Sequence, residues 1–297
     1  LAYGGRHLHL SALGKTQDIF AKALVGGGKG AGVIILLFCC YHWFWQKKFF
    51  SQKAINTVFA ALFFLGTLSY GLVELSGYYH VLGTDKVGED VFYQAIKSIR
   101  TGLVIGSLTT LIMLPLAIVF GILAGFFRGW VDDVIQYIYT TLNSIPGVLL
   151  IAASILMVQV YMANHQAQFT SLVVRADMRL LFLCLILGVT SWTGLCRMLR
   201  AETLKLREME YVQAAQALGV PRYRILSRHI LPNVMHIVLI SVVLDFSSLV
   251  LAEAVLSYVN IGVDPTTYSW GNMINGARLE MAREPVVWWS LSASFVF

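Results

Sequence analysis

Asp245 and Glu253 are the acids that fall within the long apolar stretches of this sequence, and their placement asks for a chemical explanation. A carboxylate in hydrocarbon is costly, so it normally faces protein or a water-filled path. The two are eight residues apart, which on a helix puts them about 80° apart and two turns along. Each has two readings: a place along a path for a polar solute, or a structural hydrogen bond within a bundle. Glu253, near the outer end of its stretch by the topology below, suits the mouth of a path, and Asp245 lies nearer mid-span. Asn143 and Ser144, ahead of Pro146, are further path candidates.

Enzyme chemistry finds little support. Gly14-Lys15-Thr16 has the ending of a phosphate-binding loop, but His9 stands where that loop needs a glycine, and no buried strand precedes it. ATP must therefore be bound by another polypeptide if the chain depends on it. The seven histidines show no metal-ligand spacing with acids or cysteines, and His7 with His9 is at most a weak pair. Cys39, Cys40, Cys184 and Cys196 lie in apolar stretches and read as small core residues. No nucleophile stands beside a base. The expectation is no catalytic residue, no metal, no cofactor and no nucleic-acid partner.

Composition names the solvent. Of 297 residues, 57% are hydrophobic and 13% charged, with a mean hydropathy of +0.70. Soluble domains carry about 25% charged residues. Too little charge remains to cover a water-facing surface, so lipid must cover part of it. No cleavable signal peptide is visible; the chain opens without Met and stops at Phe297 within an apolar run, so both ends are expected to belong to a longer protein.

A spanning helix needs roughly 20 mostly apolar residues. Stretches 54–73, 101–126, 134–160, 180–196, 233–259 and the unfinished 285–297 reach or approach that length. A shorter one, 30–45, ends in Tyr41, Trp43, Phe44 and Trp45, residues typical of a membrane interface. Between 197 and 228 there are seven Lys and Arg against Glu202, Glu208 and Glu210, and seven minus three gives +4 of the chain's net +6. By the positive-inside rule that loop is cytoplasmic, and alternation places 46–53, with Lys47, Lys48 and Lys53, on the same side. The segment 126–133, with one Arg against Asp132 and Asp133, does not contribute. We read 30–45 as a span, which puts the basic N-terminal 30 residues outside. A short echo agrees: Asp18, Phe20, Ala23 and Gly30 recur as Asp90, Phe92, Ala95 and Gly102, as though both runs lead into a span. Gly102 with Gly106, and Gly121 with Gly125, are spaced for close helix packing.

The loop 203–233 has structure of its own. Residues 203–218 lack Gly and Pro and are rich in helix formers. Gly219 sits where a helix would end in the left-handed conformation, Pro221 suits the first turn of a second helix, and Pro232 would close it. On the first helix Tyr211, Ala214, Ala215 and Leu218 recur at spacings of three and four and share a face. That face suits docking into a groove on a soluble protein. A helix lying on anionic lipid explains the same basic, amphipathic pattern equally well.

Resemblance to a known family separates these readings. Glu210-Tyr-Val-Gln-Ala-Ala-Gln-Ala-Leu-Gly219, followed by Arg228-His-Ile-Leu-Pro-Asn233, closely resembles the EAA loop of ABC importer permeases, in particular the dipeptide, oligopeptide and nickel branch. Gln213 stands where the general motif has Glu. Leu82-Gly-Thr-Asp-Lys-Val-Gly-Glu-Asp90 resembles a second family segment, with Glu89 in place of Arg. Glu253-Ala-Val-Leu-Ser-Tyr-Val-Asn-Ile-Gly262, with Ser269-Trp-Gly271, resembles a third, with Asn260 in place of Gly. The resemblance covers about 80–297 and leaves 1–75 unexplained.

The resemblance implies an all-α polytopic bundle of the type I ABC importer fold, multi-pass in a bacterial inner membrane. It divides the chain into an N-terminal extension, 1–75, with one or two membrane helices, and a transmembrane domain, 76–297, whose coupling loop is 197–232. Glu210, Tyr211, Ala214, Ala215, Leu218 and Gly219 are then expected to touch an ATP-binding subunit. The implied partners are a second homologous permease subunit, two cytoplasmic ATP-binding subunits and an extracytoplasmic binding protein. The implied cargo is di- or oligopeptides, with nickel or another small solute as the alternative. Asp245 and Glu253 leave a second class in view, a transporter driven by an ion gradient; a non-transporting scaffold is a third.

Overall fold

A computed structural model describes residues 12–44, 52–85, 87–165, 171–282 and 286–296. His7, His9 and residues 46–51 of the basic run fall outside the described residues. The order is α1 (Ala12–Phe44), α2 (Gln52–Ser76), α3 (Val91–Phe127), α4 (Trp130–Ser144), α5 (Gly147–Asn164), α6 (Leu172–Arg207), α7 (Glu210–Ala217), α8 (Arg222–Ile225), a π-helical turn (Leu226–Ile230), α9 (Leu231–Tyr258), α10 (Trp270–Met281) and α11 (Trp289–Val296). Helical segments long and apolar enough to cross a membrane occur at Gly14–Cys40, Asn56–Ser76, Val91–Phe127, Gly147–Asn164 and Arg222–Tyr258. The apolar stretch 180–196 forms the middle of α6. The chain is an all-α polytopic membrane protein.

It divides into two compact units, Leu1–Gln94 with Leu279–Phe297, and Ala95–Arg278. In the first, α1 and α2 pair antiparallel. Gly26 faces Glu74 and Tyr70, Gly30 faces Gly66, and Phe38 meets Phe59 edge-on at 4.7 Å. A Cβ at Gly30 would come within 2.6 Å of the Gly66 carbonyl oxygen, so this approach requires glycine. Lys29 Nζ donates to both Glu74 oxygens at 2.9 and 3.0 Å. The described part of the expected span 30–45, residues 30–44, is thus the second half of α1, a helix long and apolar enough to cross. The segment after α2 packs within this same unit: Tyr79 Oη donates to Asp18 at 2.6 Å, and Trp289 Nε1 donates to the Thr84 carbonyl at 2.9 Å. The echoed aspartates do different work. Asp18 accepts from Lys22 and Tyr79, whereas Asp90 caps α3 by accepting from the Phe92 and Tyr93 amides.

In the second unit α3 and α6 pack through small residues. A Cβ at Gly121 would lie 2.8 Å from the Cys196 carbonyl oxygen, and one at Gly125 2.6 Å from Thr203 Cβ. Gly188 of α6 is pressed against Ile112 in the same contact, and Gly106 lies under the Phe246 ring. Around them Met113, Trp192, Leu199, Ile225, Ile230 and Val234 form a continuous apolar core. Cys184 and Cys196 are buried, but Cys39 and Cys40 lie exposed on α1, so only two of the four cysteines are core residues.

The expected span 134–160 is not one helix. α4 ends at Ser144, Ile145 is extended with ψ 132°, and Pro146 opens α5. Proline lacks the N–H needed to continue the ladder and disfavours helical geometry in the residue before it. α4 is an amphipathic helix whose buried face carries Asp132, Ile135 and Tyr139, and of the two only α5 is long and apolar enough to cross a membrane.

Candidate functional site

The loop after α6 is built from short helices rather than the single expected helix 203–218. α6 tightens where the Glu208 amide donates to the Lys205 carbonyl at 3.2 Å and the Met209 amide to Leu206 at 3.1 Å. Met209 is extended at ψ 140°, and α7 begins at Glu210. The break turns Val212, fully enclosed, into the core that holds Leu206 and Ile225, a gain that outweighs good helix propensity. At the other end Gly219 has φ +74°. Its amide donates to Gln216, and the Val220 amide donates back to Ala215, closing a Schellman turn as the glycine predicts. Pro221 caps α8 from outside.

Pro232 does not end the second helix. The π turn Leu226–Ile230 leads directly into α9, with Pro232 in its first turn. The wider turn accommodates a residue with no N–H and a bulky ring. Asn233 Nδ2 then donates to the His229 carbonyl at 2.6 Å. The chain thus runs from loop to span without a joint.

The expected shared face is divided. Val212 and Ala215, 0% and 8% exposed, point into the chain's own core. Glu210, Tyr211, Ala214, Leu218 and Gly219 are exposed, Leu218 at 83%. Leu218 is a large apolar side chain bare beside a glycine turn. Tyr211 is steadied from behind, where Asn233 Nδ2 reaches its hydroxyl at 3.3 Å.

This knob is tied to the bundle by charge-assisted bonds. Arg200 forks onto Asp132, Nε to Oδ1 at 2.6 Å and Nη2 to Oδ2 at 2.7 Å, joining α6 to α4. The guanidinium holds the Asp132 carboxyl below the usual carboxylate range. Arg207 Nη1 donates to the Phe126 carbonyl at the end of α3, at 2.9 Å. Arg128 pairs with Glu208 at 2.5 Å.

The path candidates separate as well. Asp245 lines a recess of about 550 Å³ between α6 and α9, together with Gly194, Arg197, Ala201 and Ser241. It therefore faces a space with both signs of charge and small side chains. Asn143 is exposed beside the α4–α5 break, and its Oδ1 accepts from Thr193 Oγ1 at 3.1 Å, next to Gly194. Ser144 is exposed and donates to the Thr141 carbonyl at 2.7 Å. Glu253 is different. It is 1% exposed, and Ser257 Oγ donates to it at 2.5 Å while accepting from the Val263 amide at 3.1 Å. That carboxylate holds together the turn after α9 and touches no open space.

Residues 117–296, more than half the chain, match the family model described as binding-protein-dependent transport system inner membrane component. The chain belongs to this family of ABC importer permeases. Among its relatives, the dipeptide transport system permease protein DppC of Lactococcus lactis subsp. cremoris is 30% identical over 225 residues, 73% of this chain and 60% of that protein. The oligopeptide transport system permease protein OppC of Mycobacterium bovis is 28% identical over 244 residues, 77% of this chain and 78% of that one. The glutathione transport system permease protein GsiD of Pectobacterium atrosepticum is 28% identical over 208 residues, 70% of this chain and 63% of that one. The permease thus spans less than two thirds of the first relative's length.

Sequence reasoning missed three features of this permease: the Arg200–Asp132 fork, the Arg207 contact with Phe126, and Arg197 in the recess. In sequence Asp132 and Arg200 register only as loop charges 68 positions apart. Only the α3–α6 contact, signalled by Gly121 and Gly125, hints that they meet.

Proposed function

We propose that this permease is the membrane-spanning subunit of an ATP-driven importer of di- or oligopeptides in a bacterial inner membrane, with the loop 197–232 on the cytoplasmic side. The carrying observation is the exposed face of α7, where Tyr211, Ala214 and Leu218 stand clear of the chain while Val212 and Ala215 anchor the helix from behind. That face, with Glu210 and Gly219, is the docking surface for an ATP-binding subunit, and Ala215 serves it from the core side. Closure of the ATP-binding subunits moves α7, and the rigid ties to α3, α4 and α6 pass that motion to the spans. A second permease subunit completes the path, and an extracytoplasmic binding protein delivers cargo. Peptide cargo draws on relatives whose names specify dipeptide, oligopeptide and glutathione transport. Family membership disfavours an ion-gradient-driven transporter.

Asp245, Arg197, Asn143 and Ser144 line this subunit's side of the path, and Glu253 lies outside it. In proteoliposomes holding the assembled transporter, uptake of a labelled dipeptide should require ATP and survive collapse of the proton gradient. Asp245→Asn should slow uptake about tenfold, the scale of one lost charge-assisted contact, while co-purification of the ATP-binding subunits is unchanged. Uptake that persists without ATP but stops with the proton gradient overturns the reading.

A further inference from the structure

A second, smaller pocket lies on the core side of α7. Its volume is about 310 Å³, and Phe126, Phe127, Arg207, Gln216 and Arg222 line it. Arg207 spends one N–H on the neutral Phe126 carbonyl, so its charge is not cancelled there. The Arg222 guanidinium carbon sits 5.7 Å from the centre of the Phe127 ring, a cation–π contact that also leaves the charge in place. The neighbouring acid, Glu208, is taken by Arg128. Among the described residues neither Arg207 nor Arg222 is paired with a carboxylate. Two positive charges and an amide therefore converge on a cavity large enough for a phosphate group.

Its position in the fold identifies the anion. The membrane-crossing helix α3 ends at Phe127, and the continuous helical run into α9 begins at Arg222. The pocket thus sits at the basic, loop-side ends of two membrane-crossing helical runs. Phe127, Trp130 and Tyr223 are exposed around it, as aromatic side chains are at the headgroup layer. Gln216 borders the pocket one turn from the buried Val212, and Tyr211, Ala214 and Leu218 do not line it. A protein docked on the outer face of α7 leaves this pocket to the membrane.

We infer that the pocket binds the phosphate of an anionic phospholipid from the same leaflet as the loop. Planar guanidinium donors suit a phosphate's oxygens, and an anionic leaflet concentrates that ligand at basic sites between spans. The lipid would hold the loop against the membrane while its other face engages a partner. Because lipid binding is read without transport, it can fail or succeed independently of the importer assignment.

The test is native mass spectrometry of the intact transporter in detergent, titrated with dioleoyl-phosphatidylglycerol, dioleoyl-phosphatidylcholine or inorganic phosphate. Phosphatidylglycerol should bind well above phosphatidylcholine. Arg222→Gln should weaken it about fivefold, the worth of one basic residue near an anionic surface, and Arg222→Lys, which keeps the charge but not the planar fork, should restore only part of it. Co-purification of the ATP-binding subunits should not change. Equal binding of the two lipids, or phosphatidylglycerol binding indifferent to Arg222→Gln, overturns the inference. Inorganic phosphate binding that Arg222→Gln removes, without a preference for phosphatidylglycerol, assigns the pocket to free phosphate instead. Loss of the ATP-binding subunits from Arg222→Gln with lipid binding intact assigns it to a partner's acidic side chain.

Discussion

On the proposed assembly, Leu218→Arg should leave the permease folded and in the membrane but remove the ATP-binding subunits. The side chain is 83% exposed and contributes almost nothing to the chain's own core, so substitution has little effect on folding. In an interface the same position is an apolar anchor, and an arginine there brings an unpaired charge into a desolvated contact. A loss of about 2 kcal/mol or more, roughly thirtyfold in affinity, is expected. Co-purification from membranes measures it, with permease yield as the internal control. Val212→Arg is the contrast: fully enclosed, it should reduce yield before any question of partners arises. If Leu218→Arg retains the ATP-binding subunits at wild-type ratio, the outer face of α7 is not where they dock.

The second large effect is on the ties behind that face. Asp132→Ala strands the Arg200 guanidinium, which is partly buried and forked onto Asp132 through two bonds. Removing one partner of such a pair costs about 3 kcal/mol, whereas replacing both with apolar residues of similar size costs far less. Asp132→Leu with Arg200→Met should therefore recover most of the thermal stability that Asp132→Ala loses in detergent. The pH dependence has a definite sign. Arg200 lowers the folded pKa of Asp132, so the pair's contribution is complete above the unfolded value of about 3.9 and is lost only as pH falls below it. The gap between wild type and Asp132→Ala should stay constant from about pH 8 to pH 5. A gap that closes within that window, or a double variant as unstable as the single one, contradicts this role.

Much of this architecture was legible in the residues because its causes are local. Low charge and long apolar runs require lipid, Gly219 requires a left-handed turn, and Gly121 and Gly125 require a close neighbour. What escaped was non-local. Residues 203–218 contain nothing that stops a helix, yet the core's demand for Val212 breaks it at Met209. Spacing put Ala215 on one face with Tyr211 and Leu218, but how far that face wraps into the bundle depends on α8 and α9. Pro232 looked like a terminator because a π turn cannot be foreseen from composition. Glu253 and Asp245 looked alike in sequence; only the chain's return at Ser257 and Val263 makes one a structural bond and leaves the other beside a recess.

The central claim is that the exposed side of α7 is the coupling surface, and site-directed cross-linking reads it most directly. In the assembled transporter, single cysteines at Leu218, Ala214 and Val212 would be treated with a short thiol cross-linker against cysteines introduced on the ATP-binding subunit. Cross-links at 218 and 214 that change in yield when ATP is added, with none at 212, are the predicted result. No cross-link at 218 or 214, in a complex that still imports peptide with ATP, would contradict the account.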